Sequence, residues 1–217
     1  MTPPAFASVV LDADSTLCGI EGIDWLASLR GRVTADEISA LTHLAMNGEI
    51  ALDAVYGRRL AIIRPTSVEV ARLADAYVET LESNAREVIS ALSAAGVSVH
   101  IVSSGLRQAL EPVVERVGLD VGRLHAVSIS FDGNGDYAGY DDSSLLTRAN
   151  GKATLLAELR LPRPVLAVGD GATDLAMRAT ADAFAAFTGF IRRESVASRA
   201  DMEVQSFIQL RSVAFSS

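Results

Sequence analysis

The chain has few of the residues that mark secreted or membrane proteins. Cys18 is its single cysteine among 217 residues, so an intramolecular disulfide is impossible and a reducing compartment fits. No apolar run approaches the ~20 residues of a membrane span, and the first residues, Met1-Thr2-Pro3-Pro4, lack the basic start of a signal peptide. We therefore expect a cytoplasmic protein without a membrane partner.

Basic residues are also scarce. The chain carries 19 Lys and Arg against 27 Asp and Glu, a formal net charge of −8, and its pI is near 4.9. No basic patch is available to meet phosphate backbones, which argues against nucleic acid as a partner. The histidines His43, His100 and His125 do not share a metal-ligand spacing, so we expect them to be structural. An anionic substrate would need a metal ion or a few well-placed cations.

Apolar residues are plentiful, and one apolar run ends in acids. With 49% hydrophobic residues, the chain can bury a full core, and folded chains of this size remove roughly 70% of their unfolded surface from water. Ser8-Val9-Val10-Leu11 leads directly into Asp12-Ala13-Asp14, which is typical of a buried strand that delivers carboxylates to its C-terminal end. If the extended conformation continues, Asp12 and Asp14 point to the same side. Two such charges repel unless a cation or a shared proton lies between them, which indicates a site.

A helical segment follows this strand. Residues 17–78 show apolar residues at helical spacing and no strand signal, with capping boxes at 34–37 and 66–69. A further helix is predicted at 53–63, because Arg64-Pro65 ends it. An insertion at the C-terminal end of a strand is well placed to act as a lid. We therefore expect a helical cap domain at 17–78.

After this segment, strands and helices alternate. Apolar strands are predicted at 97–102, 164–168 and 183–187. The alternation predicts an α/β fold with a Rossmann-like parallel sheet, formed by residues 1–16 plus 79–217 and joined by right-handed crossovers. Two further strands at 127–131 and 137–140 flank Gly133-Asn134-Gly135, which predicts a β-hairpin flap.

Polar residues stand at the ends of several predicted strands. They are Asp12 and Asp14 after the first strand, Ser103 after the second, and Asp170 and Asp174 after the third, with Lys152 at a helix start nearby. In parallel sheets such strand ends meet at one edge, where ligands bind. Carboxylate and carbonyl oxygens suit Mg²⁺, and the metal with Lys152 would let a carboxylate approach a phosphate dianion. One aspartate could then accept the phosphoryl group while another acts as acid and base.

These motifs carry a family resemblance. Asp12-x-Asp14-x-Thr16, Ser103, Lys152 and Gly169-Asp170-x3-Asp174 are similar to the four motifs of the haloacid dehalogenase superfamily of phosphotransferases. Further stretches resemble the phosphoserine phosphatase family within it. They are Glu21-Gly22-Ile23-Asp24, Arg59-Leu60-Ala61-Ile62-Ile63, Tyr137-Ala138-Gly139-Tyr140 and Ala181-Asp182-Ala183-Phe184. The similarity extends over about residues 8–210.

The resemblance implies a catalytic set and a metal-binding set. Asp12 matches the nucleophile that forms a phosphoaspartyl intermediate, and Asp14 matches the general acid and base. Mg²⁺ is the implied cofactor, bound by the side chains of Asp12 and Asp170 and by the backbone carbonyl of Asp14, with Asp174 supporting it from nearby. The implied reaction is the hydrolysis of L-phosphoserine to L-serine and phosphate, a step of serine biosynthesis.

The resemblance also implies a substrate-binding set. Its members are Ser103, Ser104, Gly105 and Lys152 around the phosphate, Glu21 and Arg59 for the amino and carboxylate groups, and Met46 and Thr173 beside them. Ser104 stands where a glycine is common, Thr173 where an asparagine is common, and Leu52 where a phenylalanine often lines the pocket. Because leucine is smaller, this pocket could admit a slightly larger amino-acid phosphate.

Two alternatives stay open. Within the same class, the substrate is a related small amino-acid or amine phosphate, handled by a phosphatase or a phosphotransferase. From another class, a phospho-accepting signalling receiver also combines aspartates, a hydroxyl, a lysine and Mg²⁺ on a parallel sheet. The helical segment opposes the receiver, and so does Asp14, which is placed to hydrolyse an intermediate on Asp12. The expected partner is a small-molecule phosphomonoester, and the expected assembly is a monomer or a homodimer.

Overall fold

The computed structural model describes residues 3–215, so the first two residues of the N-terminal stretch discussed above and the last two of the chain lie outside the description. The strands are β1 (Ser8–Leu11), β2 (Ser98–Leu106), β3 (Leu124–Val127), β4 (Ile129–Phe131), β5 (Tyr137–Tyr140), β6 (Val165–Gly169), β7 (Ala183–Phe187) and β8 (Met202–Val204). Six of these described strands form one parallel sheet in the order β3-β2-β1-β6-β7-β8. The predicted α/β fold with a Rossmann-like parallel sheet is confirmed.

The apolar run before Asp12 lies at the centre of this sheet. All four residues of β1 are buried, and the strand pairs with β2 on one side and with β6 on the other. A strand that is covered on both faces requires a continuous apolar run, which Val9, Val10 and Leu11 provide. Because β1 is central, the residue that follows it emerges at the middle of the sheet edge.

Helices cover the sheet and fill the connections. They are α1 (Gly22–Ser28), α2 (Arg32–Met46), α3 (Tyr56–Ile63), α4 (Ser67–Glu79), α5 (Ala85–Ala94), α6 (Arg107–Arg116), α7 (Gly151–Leu159), α8 (Ala172–Leu175), α9 (Glu194–Ala197) and α10 (Phe207–Ala214). Among the described residues, none of the helices is long and apolar enough to cross a membrane.

The first four helices lie between β1 and β2, and we call residues 22–79 the helical insertion. The chain enters and leaves it through two segments that lie side by side. The N–H of Gly19 donates to the carbonyl of Thr80 over 2.9 Å, and the N–H of Glu82 donates to the carbonyl of Leu17 over 2.9 Å. The base of the helical insertion is therefore held together next to the end of β1.

Two helix starts in the insertion test the capping boxes that the sequence predicted at 34–37 and 66–69. The box at 66–69 is present, because the side chain of Thr66 accepts from the N–H of Glu69 and the Glu69 carboxylate accepts from the N–H of Thr66. The box at 34–37 is wrong, since Thr34 lies inside α2, which begins at Arg32. Gly31 precedes the helix with a φ of 89°, a conformation that glycine adopts without strain.

Other differences come from short or irregular strands. β2 continues through Ser103 to Leu106 past a register shift, whereas the sequence predicted its end at residue 102. The predicted strand 127–131 is two strands, because β3 joins the main sheet and β4 pairs with β5. The helix predicted at 53–63 is a 3-10 turn, Leu52–Ala54, followed by α3. The edge strand β8 has only three residues and was not predicted.

The antiparallel pair β4–β5 reaches from the core side to the helical insertion. The N–H of Ser67 donates to the carbonyl of Gly135 over 2.8 Å. The guanidinium of Arg64 lies 5.5 Å from the ring centroid of Tyr137, and the rings of Tyr56 and Tyr140 are in tilted contact. The hairpin thus packs against α3 and the start of α4.

Two of the histidines meet between β2 and β3. His100 Nδ1 lies 3.1 Å from His125 Nε2, and His100 Nε2 lies 2.7 Å from Nη1 of Arg123. Arginine can only donate, so His100 Nε2 accepts and its proton is on Nδ1, facing His125. Burial and the Arg123 charge lower the pKa of His100 from 6.5 to about 4. The folded protein therefore favours the neutral form of His100 at this edge of the sheet.

We predict that this cluster makes the protein acid-sensitive. The unfolded chain takes up a proton on His100 below pH 6.5, whereas the folded ring does so only near pH 4, so the free energy of unfolding falls as the pH drops through that window. The exposed Arg123 is screened by solvent, so we expect a loss on the order of 1 kcal/mol. Urea titrations at several pH values should show this loss in the wild type and a smaller one in His100→Gln. Equal pH dependence in both proteins would contradict the assignment.

Candidate active site

Two acids follow neighbouring strands at the centre of the sheet. Asp12 comes directly after β1 and Asp170 directly after β6, and these strands end in register with Leu11 opposite Val168. The N–H of Asp12 donates to the carbonyl of Val168 over 3.0 Å, which extends the pairing to the strand end. Both acids are buried. Parallel pairing therefore forces the two carboxylates into one small region.

Lys152 reaches this region from the first turn of α7. Its Nζ lies 2.7 Å from Asp12 Oδ1 and 2.6 Å from Asp174 Oδ1. Burial alone would lower the pKa of Lys152, but the two carboxylates raise it above its ordinary value. The ammonium group therefore stays charged and lies between two acids that would otherwise repel each other.

Asp14 is held through one of its two carboxylate oxygens. Its Oδ1 accepts from the N–H of Gly22 over 2.7 Å and from the hydroxyl of Tyr77 over 2.6 Å. The other oxygen, Oδ2, lies 3.5 Å from the hydroxyl of Ser103. Ser103 Oγ in turn accepts from the N–H of Gly105 over 2.9 Å. The end of β2 therefore faces Asp14 across the sheet edge.

Most of the residues predicted from the sequence line one cavity, which has about 430 Å³ of empty space when its opening to solvent is included. They are Asp12, Asp14, Glu21, Met46, Arg59, Ser104, Gly105, Lys152, Asp170 and Thr173, with Gly22, Ile23 and Leu52 completing the wall. The two other predicted residues, Ser103 and Asp174, lie behind the wall, in contact with Asp14 and Lys152. The hydroxyl of Ser104 donates to the carbonyl of Leu146 over 2.7 Å, so it is turned to the chain.

The wall on the side of the helical insertion carries a buried arginine. Arg59 is 4% exposed, and its Nη1 donates to the hydroxyl of Thr42 over 2.8 Å, while that hydroxyl donates to Asp24. The guanidinium also lies 5.8 Å from the ring centroid of Tyr56. Arg59 Nε has no hydrogen-bond partner within the described residues. Arg59 is therefore held in place through Nη1 and keeps Nε as a free hydrogen-bond donor.

Arg193 is a site residue that the sequence pattern did not single out. It immediately precedes α9, is 6% exposed, and pairs with Asp170 and with Glu21, its Nη2 lying 3.3 Å from Glu21 Oε1. The neighbouring Arg192 is exposed and pairs with Glu194 and Glu203. Two adjacent arginines give no spacing signal that distinguishes the buried one. Arg193 joins the site only because the chain after β7 folds back to the edge of the sheet.

The acids of this cavity are difficult to ionise. Burial, and then the charge of Asp174, raises the pKa of Asp12 well above its usual range. Burial also raises the pKa of Asp14, against the hydrogen bonds from Tyr77 and Gly22. It raises the pKa of Asp170 to about 7, although Arg193 acts in the opposite direction, and that of Glu21 to about 8. Lys152 and Arg193 thus leave part of the negative charge of the site unbalanced, which is typical of a site that takes up a further cation.

The donor set also fits a metal ion. One carboxylate oxygen from each of Asp12, Asp170 and Asp174 lies within 4.8 Å of the others. Asp12 Oδ1 forms an ion pair with Lys152 Nζ and has no other polar partner in the described residues, so it keeps a lone pair for a cation. Both oxygens of Asp174 are already engaged, one by Lys152 and one by the N–H of Gly171. Buried carboxylates of this kind are ligands for hard divalent cations.

The family model of the haloacid dehalogenase-like hydrolases matches residues 9–179. The chain belongs to this family. Among its hydrolase relatives, phosphoserine phosphatase of Bos taurus is 33% identical over 206 residues, which cover 94% of this chain and 91% of the bovine protein. The Drosophila melanogaster phosphoserine phosphatase is 34% identical over 93% of this chain and 76% of the fly protein.

Solved structures of this hydrolase family share the fold. A phosphoserine phosphohydrolase-like protein from Francisella tularensis superposes with a TM-score of 0.88 at 24% identity, covering 95% of this chain and 98% of that protein. This likeness shows the fold, while the family model and the bovine and fly relatives confirm the predicted membership of the superfamily.

We predict that Arg193 keeps two acids of the hydrolase site compatible with folding. Arg193→Gln leaves Asp170 and Glu21 without their shared cation, so the metal-free protein should lose about 3 kcal/mol of unfolding free energy at pH 9. The loss should shrink near pH 6, because carboxyls with pKa values of about 7 and 8 are then protonated. Denaturant titrations in a chelator measure both values.

Arg192→Gln is the matched control, because Arg192 is adjacent in sequence but exposed. Its pairs are open to solvent, so its removal should change stability little at either pH. Similar losses in the two variants would show that the buried contacts of Arg193 are not what matters.

Proposed function

We propose that this chain is a Mg²⁺-dependent phosphoserine phosphatase that works through a phosphoaspartyl intermediate on Asp12. The observation that carries the proposal is that Asp12 and Asp14 both follow the end of β1 in complementary settings. Lys152 Nζ lies 2.7 Å from Asp12 Oδ1. Tyr77 binds Oδ1 of Asp14, while Oδ2 of Asp14 has no strong hydrogen-bond donor. The family and the bovine and fly relatives support the same reaction class. The receiver alternative has no support among these relatives.

The first half of the reaction is the transfer of the phosphoryl group to Asp12. An oxygen of Asp12 attacks phosphorus as the bond from phosphorus to the ester oxygen breaks. Asp14 gives its proton to that ester oxygen, and the raised pKa of Asp14 suits this acid role. Lys152 offsets the repulsion between the Asp12 carboxylate and the phosphate dianion.

A bound Mg²⁺ ion, held by Asp12, Asp170 and the backbone carbonyl of Asp14 with Asp174 behind, would supply charge neutralisation to the phosphoryl oxygens. Thr16 supports this arrangement, because its hydroxyl donates to Asp170 Oδ1 over 3.3 Å.

The second half of the reaction releases phosphate. Asp14, now a carboxylate, takes a proton from a water molecule as the water oxygen attacks phosphorus, and the bond to Asp12 breaks. The free carboxylate of Asp12 and the protonated Asp14 are restored. Gly105 lines the side of the cavity where a phosphate oxygen would lie, and Ser103 lies behind it and accepts a hydrogen bond from the N–H of Gly105.

The substrate head group is proposed to bind between Glu21 and Arg59. An amino acid carries one cation and one anion, and these two side chains offer the opposite charges in the same cavity. An incoming ammonium group would hold Glu21 in its charged form, against the burial that raises its pKa. Arg59 has an unpaired Nε to offer to a carboxylate. Both contacts strengthen when water is excluded.

The helical insertion, residues 22–79, is proposed to be the cap domain, which the sequence predicted at 17–78. It carries Met46, Leu52 and Arg59 to the cavity, while the segments after β1 and β6 carry Asp12, Asp14 and Asp170. Recognition and chemistry would thus come from different parts of the chain. The charged and largely buried lining of the cavity suits a small phosphomonoester.

We predict that Asp12→Asn abolishes phosphate release and phosphoenzyme formation, because the amide is no nucleophile toward phosphorus. Asp14→Asn should still form the phosphoenzyme from an aryl phosphate, whose leaving group needs no proton, and should hydrolyse it about 100-fold more slowly. Acid quench with ³²P-labelled substrate measures both steps. Steady turnover by Asp12→Asn would reject Asp12 as the nucleophile.

We predict that Arg59 selects the amino-acid head. Arg59→Gln should lower kcat/KM for phosphoserine about 100-fold while changing that for p-nitrophenyl phosphate only slightly, since loss of a buried charge-assisted contact is worth about 3 kcal/mol. Arg58→Gln is the matched control, because Arg58 is exposed and pairs with Glu37.

The same panel should include phosphothreonine and phosphoethanolamine. A preference for phosphothreonine would indicate that Leu52 leaves room for a larger head group. A preference for phosphoethanolamine, which has no carboxylate, would contradict the proposal that Arg59 binds the substrate carboxylate. A flat profile across all four substrates would reject the proposed head-group site.

A further inference from the structure

Only one of the two carboxylate oxygens of Asp14 accepts short hydrogen bonds from the protein. Two donors, the hydroxyl of Tyr77 at 2.6 Å and the N–H of Gly22 at 2.7 Å, converge on the same oxygen, Oδ1. The carboxyl group of an aspartate turns easily about its last bond, and nothing in its covalent structure distinguishes the two oxygens. Here the two hydrogen bonds distinguish them. Oδ1 is bound by the protein, and Oδ2 is the oxygen that is left to act on a substrate.

The remaining oxygen faces the end of β2. Asp14 Oδ2 lies 3.5 Å from Ser103 Oγ, and a Cβ placed on Gly105 would lie 3.0 Å from it. Gly105 and Asp14 both line the cavity. Oδ2 is therefore next to the place where the proposed phosphoryl group would lie, whereas Oδ1 is occupied by Tyr77 and Gly22.

Both donors come from the base of the helical insertion. Gly22 begins α1, and Tyr77 lies near the end of α4, close to where Gly19 pairs with Thr80. Tyr77 is fully buried. A Cβ on Gly22 would lie only 2.0 Å from the Tyr77 hydroxyl oxygen, so residue 22 has to be glycine for this hydroxyl to reach Asp14.

We propose that Tyr77 is a positioning residue, which fixes Asp14 so that Oδ2 delivers the proton to the leaving ester oxygen. When this hydroxyl is absent, Gly22 alone holds Oδ1 and the carboxyl group turns away from the ester oxygen for part of the time. General acid catalysis requires hydrogen-bond reach to one defined atom, so the loss falls on the step that needs a proton. The proposal rests on the role proposed for Asp14.

The test compares two leaving groups. Tyr77→Phe keeps the buried ring and removes one oxygen. With enzyme in excess, rapid quench measures the release of serine from phosphoserine and of nitrophenolate from p-nitrophenyl phosphate. We expect the variant to release serine about tenfold more slowly, to release nitrophenolate at close to the wild-type rate, and to keep the same KM for phosphoserine. At saturating enzyme these rate constants do not depend on the fraction of the variant that is folded.

A double-mutant cycle separates positioning from general damage. If Tyr77 acts through Asp14, adding Tyr77→Phe to Asp14→Asn should not slow serine release further. Tyr137→Phe removes a hydroxyl from the hairpin outside the cavity wall and should match the wild type. Equal losses for both leaving groups, an additive loss in the double variant, or no loss at all would overturn the proposal.

Failure of the proposed substrate gives a different result. A wild-type enzyme that is inactive on phosphoserine but active on phosphoethanolamine would reject the substrate and leave the leaving-group comparison intact, with phosphoethanolamine as the alkyl ester. The dependence on leaving group then supports or overturns the role of Tyr77 by the same criteria.

Discussion

The crowding of buried carboxylates at one edge of the sheet is the constraint on which this structure depends. Asp12, Asp170 and Asp174 bring oxygens within 4.8 Å of one another in a region closed to bulk water. Such charges are tolerated only when they are paired or protonated. Lys152 bridges Asp12 and Asp174, and Arg193 pairs with Asp170. Segments far apart in sequence, the start of α7 and the loop after β7, are thereby drawn to the end of β1.

The hydrogen bonds of the site separate atoms that hold it together from atoms that are left for a ligand. Asp174 uses both carboxylate oxygens within the protein, and Asp14 uses Oδ1. Arg59 Nε and Arg193 Nε are buried and have no hydrogen-bond partner in the described residues, and buried Asp12 Oδ1 has only its ion pair with Lys152 Nζ. All three belong to residues of this one site. Unpaired buried polar atoms are rare in folded proteins, so their concentration here indicates groups that find partners when a charged ligand binds.

The sequence predicted the features that depend on local pattern and on the geometry of parallel sheets. The acids after β1 and β6 could be placed together because parallel strands end at a common edge, and Thr66 could be recognised as a helix cap from its own neighbours. Thr34 shows the limit of such local signals. It was predicted to cap a helix, but α2 begins at Arg32, directly after Gly31. β8 and Arg193 could not be found, because a three-residue edge strand and one of two adjacent arginines acquire meaning only from the tertiary fold.

Burial explains how a chain with a net charge of −8 can be suited to an anionic ligand. Most of its basic residues lie at the surface, where solvent screens them. The buried lysine and arginine side chains among residues 3–215 are Arg59, Lys152 and Arg193, and each of them lines the cavity or pairs with an acid that does. A cation taken out of water interacts far more strongly with a nearby charge than an exposed one does. Under the proposed function, a phosphate ester would meet these three desolvated cations next to the strand ends, whereas the acidic surface contributes little at that distance.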